Sequence, residues 1–553
     1  MKRYVLAVAV VLAAALGGAA KGSNNTEVAK NLNIFNALFK ELHINYVDSL
    51  DADEAMRDAI DAMLMMVDPY TEYYSASEQE EYLSMSSGEF GGIGCSIKQR
   101  DGRVMMSKPT WGSPSRLAGV RHGDYIVAID GDTVPKGYTS DEAVKRLRGK
   151  AGTKLLLTVE RPYAADSIID IEITRGTIRT NPVPYAAMLP GGVGYIDLTT
   201  FNEHSAEGVR KALNDFKKDP ALSGLVLDLR GNGGGLLDQA VQITGMFVPK
   251  GTTVVETKYR DATQNKTYKT TQQPIAPNVP MVVLVDGGTA SAAEIVSGSL
   301  QDLDRAVIMG ERTYGKGLVQ SSRPLPFNGL LKLTVARYYI PSGRLIQAID
   351  WSHRNPDGTV ARIPDSLTNV FHTAAGREVR DGGGITPDVK IEPKQTNRLI
   401  YNTISGFWNY DYATRFAARQ GADMPADDSL FVITDSIFAD FKAFVDPERF
   451  SYDRACEEGI KYLRTAAENE GYMNDSVAAQ LDALEALLRH DLDHDLDFNR
   501  RDLEFLLDQE ISDRYYDEAT VIRRALRWDT TLDAALELLA DPEKHAAILR
   551  PKE

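Results

Sequence analysis

An apolar run, Val282–Val285, leads into the small residues Gly287-Gly288-Thr289-Ala290-Ser291-Ala292-Ala293-Glu294-Ile295. A lysine stands 25 positions after Ser291, held between glycines in Gly310-Glu311-Arg312-Thr313-Tyr314-Gly315-Lys316-Gly317-Leu318-Val319-Gln320. No other feature constrains the chain so tightly. Together the two stretches point to a serine nucleophile with a lysine as its base. A hydroxyl attacks a peptide carbonyl only when something takes its proton. A lysine can take it only when neutral, and an unperturbed lysine stays charged up to about pH 10.4. Burial depresses that value, and bringing it to roughly 7.4 costs about 4 kcal/mol. Gly315 and Gly317 let other backbone approach the lysine closely and exclude water from it.

A second glycine turn precedes these. Leu225-Val226-Leu227-Asp228-Leu229-Arg230-Gly231-Asn232-Gly233-Gly234-Gly235 reads as a strand running into a turn, with a helix from Leu237. No Gly-Lys-Ser/Thr ends the turn, which excludes a Walker motif, and Gly-x-Gly spacing alone is too common to argue for a dinucleotide. Glycines here can serve a tight turn, or aim a backbone N–H at a developing oxyanion.

These segments resemble the C-terminal processing (tail-specific) peptidases. The family carries its nucleophile in a Gly-Ser-Ala-Ser-Ala-Ser-Glu-Ile type segment and its lysine in Gly-Glu-x-Thr-Phe-Gly-Lys-Gly-x-Val-Gln, at the same spacing. The resemblance implies Ser291 as nucleophile, Lys316 as base, Gln320 orienting the lysine, and Asp302 in a supporting role. It implies an oxyanion hole from the amide of Ala292 and that of Gly233 or Gly234, with the choice of glycine open. Thr289 and Ala293 replace two family serines, neither the nucleophile, and Tyr314 replaces a Phe. The fold it implies is multidomain α/β: a ClpP/crotonase-like core with an inserted PDZ domain and helical N- and C-terminal regions.

The PDZ expectation rests on its own residues. Phe90-Gly91-Gly92-Ile93-Gly94 opens a β-rich segment, with strands over Cys95–Gln99, Val104–Lys108 and Lys154–Arg161 and a helix over Ser140–Leu147. The order resembles a PDZ domain over 88–176. Such domains add a peptide C-terminus as a strand to an open sheet edge, with loop amides on the carboxylate. Gly92, Ile93 and Gly94 match that loop, and Val144 and Leu147 are expected to face the groove.

At 553 residues the chain has room for about three to five domains. Residues 1–20 read as a signal peptide: Lys2 and Arg3, then apolar Tyr4–Leu16, then Gly18-Ala19-Ala20 as a cleavage site. This directs the protein across the cytoplasmic membrane to the periplasm or cell envelope. An uncleaved anchor is the alternative and would keep it near the membrane. The stripe Val28, Leu32, Phe35, Phe39, Leu42 and the segment Asp53–Val67 read as helices of a region 21–87. The protease core is expected over 177–395, with strands Gly194–Leu198 and Gly224–Leu229, and Asp304–Ile308 extends it. Residues 396–553 are helical and acidic. That tail caps the core or joins copies into a homo-oligomer, and its composition does not choose. Net charge is −16, which points away from nucleic acid. Cys95 and Cys456 give no disulfide framework and cannot build a zinc site. No metal, nucleotide or other cofactor is implied.

A Ser-His-Asp site would need a histidine. His204 is the only one near core-like sequence, and it reads as the start of the helix from Ser205. A binding protein with a silent site, or a scaffold that only presents its PDZ groove, is the alternative to an enzyme. A serine-directed probe and a cleavage assay discriminate these from an endopeptidase whose substrates are proteins or peptides with free C-termini.

Overall fold

The computed structural model describes residues 25–351, 354–355, 359–392, 397–421, 424–450 and 455–551. The signal peptide read over 1–20 lies outside them. The chain divides into two compact units: residues up to Ala76 with Gln320–Thr334, and Ser77–Val319 with Val335–Glu553.

The smaller unit holds a helix over 25–45 and a second, Ala52–Met65. Asp51 caps the second helix by accepting from the amides of Asp53 and Glu54, an arrangement worth about 1 kcal/mol. After Pro69 the chain is not helical. Asp68 accepts from the amides of Tyr70 and Thr71, at 2.8 Å each. That turn launches a strand, Glu72–Tyr74, antiparallel to Leu330–Lys332. The region was read as helical throughout because the partner strand lies far away in sequence. The apolar stripe of the first helix faces solvent, with Leu32 64% and Leu38 58% exposed.

The larger unit is built on a six-stranded sheet. In spatial order its strands are Tyr185–Leu189, Val193–Asp197, Gly224–Asp228, Met281–Val285, Val307–Gly310 and Val389–Lys390. The first pair is antiparallel and the rest are parallel. Parallel strands are covered on both faces and therefore read as unbroken apolar runs. Met281–Val285 is buried at every position. Alternate side chains go to opposite faces. Leu225, Leu227, Val283 and Ile308 pack with Val209, Ile243 and Ile295 of the helices Ser205–Phe216, Leu237–Thr244 and Ala292–Asp302. Val226, Val282, Leu284 and Val307 pack with Leu532, Ala535 and Leu538 of Thr530–Leu539. The acidic tail thus caps the second face of the core sheet. Within Asp304–Ile308 the strand begins at Val307, because Asp304 turns the chain at φ 51°.

The PDZ-like segment is a second sheet, Cys95–Arg100, Arg103–Pro109, Asp124–Ile129, Lys154–Glu160 and Ile168–Thr174 in spatial order. The helix Ser140–Leu147 begins with a capping box made by Thr139 and Glu142. Among the described residues no helix is long and apolar enough to cross a membrane.

Candidate active site

The strand Met281–Val285 ends at Asp286, whose Oδ1 accepts from the amides of Gly231, Gly288 and Thr289. Thr289 is buried and donates its hydroxyl to Leu229 O at 2.8 Å. Thr289 therefore ties the turn before Ser291 to the glycine turn. Ser291 follows with φ 55° and ψ −115°, a backbone conformation costing about 1–3 kcal/mol in a non-glycine residue. The helix Ala292–Asp302 starts at once. Its first amides have no intrahelical acceptor, and its dipole favours negative charge there.

Asn232 organises the glycine turn. It is fully buried. Its Nδ2 donates to Leu198 O, its Oδ1 accepts from the Gly234 amide at 2.9 Å, and its carbonyl accepts from Ala290 N. Gly234 has φ 96°, and a Cβ there would lie 2.8 Å from Ser291 Cβ and from Ala292 N. The turn must lie against the serine, and only glycine fits. With the Gly234 amide held by Asn232, the Gly233 and Ala292 amides remain without a hydrogen-bond acceptor among the described residues.

Glu294 joins this turn to the lysine. Its Oε2 accepts from Ser291 N at 2.8 Å and from Lys316 N at 2.9 Å. Its Oε1 accepts from Gly315 N at 2.8 Å and from the Thr313 hydroxyl. The backbones of Ser291 and Lys316 hang from a single oxygen atom. Burial pushes the Glu294 carboxyl up to about 7, against four donors that favour its charge. Tyr338 adds a second tie, its hydroxyl proton shared between Ser291 O at 3.1 Å and Lys316 O. The glycines flanking the lysine are crowded as expected. A Cβ on Gly315 would lie 2.3 Å from Ala348 Cβ, and one on Gly317 2.9 Å from Gln347 N. The sequence alone assigns neither Glu294 nor Tyr338 a role, since, apart from Ser291 three residues before Glu294, their partners lie 19 to 47 residues away.

Asp302 ends the helix Ala292–Asp302. It pairs with Arg344 at 2.8 Å, both side chains being almost fully buried, and accepts from Ser342 N. It anchors the Pro341–Arg344 turn, and it stands eleven positions after Ser291, at the far end of the helix, on the order of 16 Å of rise away. Burial raises its carboxyl, and Arg344 works against that. Gln320 belongs to the smaller unit, where its amide donates to Thr334 Oγ1 at 3.1 Å. His204 stands at the start of Ser205–Phe216, half exposed, with its Nε2 3.7 Å from Glu89.

In the PDZ-like segment, Gly94 has φ 69°, and its carbonyl accepts from Thr110 N and the hydroxyls of Ser113 and Ser115. Gly92 ends a short strand paired with Gly176–Arg179, and Ile93 is buried in the domain core. Helix Ser140–Leu147 packs beside Cys95–Arg100. Of the two helix residues expected at the groove, Leu147 is 5% exposed and packs with the core of the segment, and Val144 is half-buried.

The profile of peptidase family S41 matches residues 192–357, and that of a PDZ domain residues 110–161. A profile described as "Probable PDZ-protease, C-terminal helical domain" matches 399–539. The chain is 37% identical over 391 residues to the carboxy-terminal-processing protease of Bartonella bacilliformis, covering 68% of this chain and 88% of that one. It is 30% identical over 383 residues to the carboxy-terminal processing protease CtpA of Bacillus subtilis, covering 68% and 79%. The solved photosystem II D1 C-terminal processing protease is 28% identical over 64% of this chain and 86% of that chain, with a TM-score of 0.35. The chain belongs to the carboxy-terminal processing proteases of peptidase family S41. It is a serine-type peptidase that carries a PDZ domain and hydrolyses peptide bonds.

Proposed function

We propose that the chain is a secreted endopeptidase that cleaves proteins near their C-termini with a Ser291–Lys316 dyad, after its PDZ domain has taken the tail. The observation that carries the dyad is the shared Glu294 oxygen, which accepts from both backbones. In this reading Ser291 Oγ attacks the scissile carbonyl while Lys316 Nζ takes its proton. The amides of Ala292 and Gly233 receive the oxyanion, and the Lys316 proton then goes to the leaving amine. Gln320 keeps the orienting role that the resemblance gives it.

Free C-termini are the proposed PDZ ligands, held by amides of the Gly92–Gly94 loop with the last side chain against Val144. Secretion to the periplasm or envelope rests on the charged and apolar residues of 1–20. The solvent-facing stripe on helix 25–45 supports a homo-oligomer. Ser291→Ala and Lys316→Ala should each abolish cleavage of a tailed protein in a folded enzyme. The double variant should lose little more, because such residues act as a unit. Near-normal turnover by Lys316→Ala sinks the dyad. Deleting 88–176 tests the tail: unchanged cleavage of every substrate removes the PDZ domain from the proposal.

A further inference from the structure

A cavity of about 490 Å³ lies in the larger unit between the PDZ-like segment and the C-terminal helices. One wall is the turn carrying Trp111, Arg116, Arg121 and His122, with Arg161 beside it. The other comes from the helices Trp408–Gln420 and Arg500–Tyr515, through Thr414, Ala417 and Arg514. The two walls are already tied together. Arg100 makes a bidentate pair with Asp411, Lys108 pairs with Asp513 at 2.7 Å, and Tyr410 Oη donates to Ser107 O. Arg116 donates to Arg514 O.

The cavity is cationic and under-bonded. Lys108, Arg116, Arg121, Arg161 and Arg514 face only three carboxylates, Asp124, Glu510 and Asp513. Asp124 is taken up by Arg161 in two hydrogen bonds, and Glu510 by Arg514 at 3.0 Å. The Arg121 guanidinium is exposed and has no partner among the described residues. His122 is almost fully buried, and neither ring nitrogen has a hydrogen bond. Its Nε2 lies 3.2 Å from Asp513 Oδ2 without bonding geometry. Tyr515 Oη and Arg514 Nε are also buried without partners. Burial first, then Arg514, Arg116 and Lys108, hold His122 well below its ordinary range, so the ring is neutral and can donate from one nitrogen. Buried polar groups left unpaired are costly. Several of them around one cavity mark a place where a ligand supplies the missing acceptor. The rest of the lining is apolar: Trp111, Val120, Pro162, Ala417 and Ala418.

We infer that this cavity is a second ligand site, separate from the peptide groove, for a carboxylate carried on an apolar body. The carboxylate meets the guanidiniums of Arg116 and Arg121 and the His122 ring, and the apolar part lies against Trp111. A ligand touching both walls adds to the contacts joining the PDZ domain to the tail. Occupancy therefore holds the domain in this position by linkage.

The test is a calorimetric titration of the full chain with 3-phenylpropionate, alongside its neutral amide and phenylphosphonate. The carboxylate should bind and the amide should not. Arg121→Ala, a surface change that leaves folding intact, should weaken binding about tenfold, the worth of one charged hydrogen bond. Arg121→Lys should recover part of that. Val144→Asp, in the peptide groove, should leave binding unchanged. Hydrogen exchange over 108–122 should slow when the carboxylate is bound. Four results overturn the proposal: no binding, equal binding of the amide, binding indifferent to Arg121→Ala, or tighter binding of the phosphonate.

Discussion

Gly315→Ala isolates what the lysine turn requires. Gly315 has φ 87°, and its missing Cβ would sit 2.3 Å from Ala348 Cβ and 3.2 Å from the amides of Ala348 and Gly384. An L-residue in the left-handed region costs about 1–2 kcal/mol. Overpacking against neighbours that cannot retreat adds about 1–3 kcal/mol. Ala348 cannot retreat freely, because its amide donates to Gly315 O. The expected loss is therefore about 2–5 kcal/mol. Gly191 is the control: its φ is 81° and nothing lies within 4 Å of its Cβ position, so Gly191→Ala bears the backbone cost alone. Urea midpoints of the two variants should differ by the packing part. The Gly315 amide is also one of the donors to Glu294, and Lys316 is the next residue. A shift of about 1 Å there should lower kcat/KM on the order of 100-fold, while Gly191→Ala keeps wild-type turnover. Equal midpoints for the two variants, or a fully active Gly315→Ala enzyme, would refute the packing argument.

Asp302→Ala strands the buried Arg344. It should cost about 3–5 kcal/mol in denaturation, and Asp302→Ala with Arg344→Met should recover much of it. Asp197 is pushed up to about 7 by burial and by Asp228. The fold thus favours its protonated form, so its contribution to stability declines as pH rises from about 4 to about 7 and is flat above. Asp197→Asn should remove that slope from a Tm series between pH 4 and 8. Arg230, in the glycine turn, is held by Asp228 on one side and by Asp529 from the tail on the other. Asp529→Asn keeps the oxygen that caps Thr530–Leu539 and removes the charge. It should lower kcat by several-fold with KM little changed; an unaltered kcat would show that the tail does not position the turn.

What could be read from the sequence was whatever short-range chemistry specifies. Helix Ser140–Leu147 was readable to the residue, because its capping box is local. Buried parallel strands such as Met281–Val285 announce themselves as apolar runs. The spacing of the two glycine-rich segments that carry Ser291 and Lys316 is a sequence feature, and the structure ties their backbones together through Glu294. Glu294 was in plain view in the same segment, yet its work is to accept amides from Gly315 and Lys316, which periodicity does not reveal. The pairing of Glu72 with Lys332 and of Arg230 with Asp529 spans hundreds of residues and has no local signature. The tail reads as helical from its sequence, but the sheet face that Thr530–Leu539 covers emerges only from the alternation of Val226, Val282 and Leu284. Leu147 is expected at the groove by resemblance, and it packs with the segment's own core.

The most direct test of the dyad is the pH dependence of labelling by a serine-directed probe, with the modified residue located by mass spectrometry. The account predicts one adduct, on Ser291, formed at a rate that rises with pH as the lysine loses its proton. The Lys316→Ala protein should label far more slowly at every pH. An adduct on another serine, an undiminished rate in Lys316→Ala, or a rate already flat from about pH 5, below the ordinary histidine range, would contradict it.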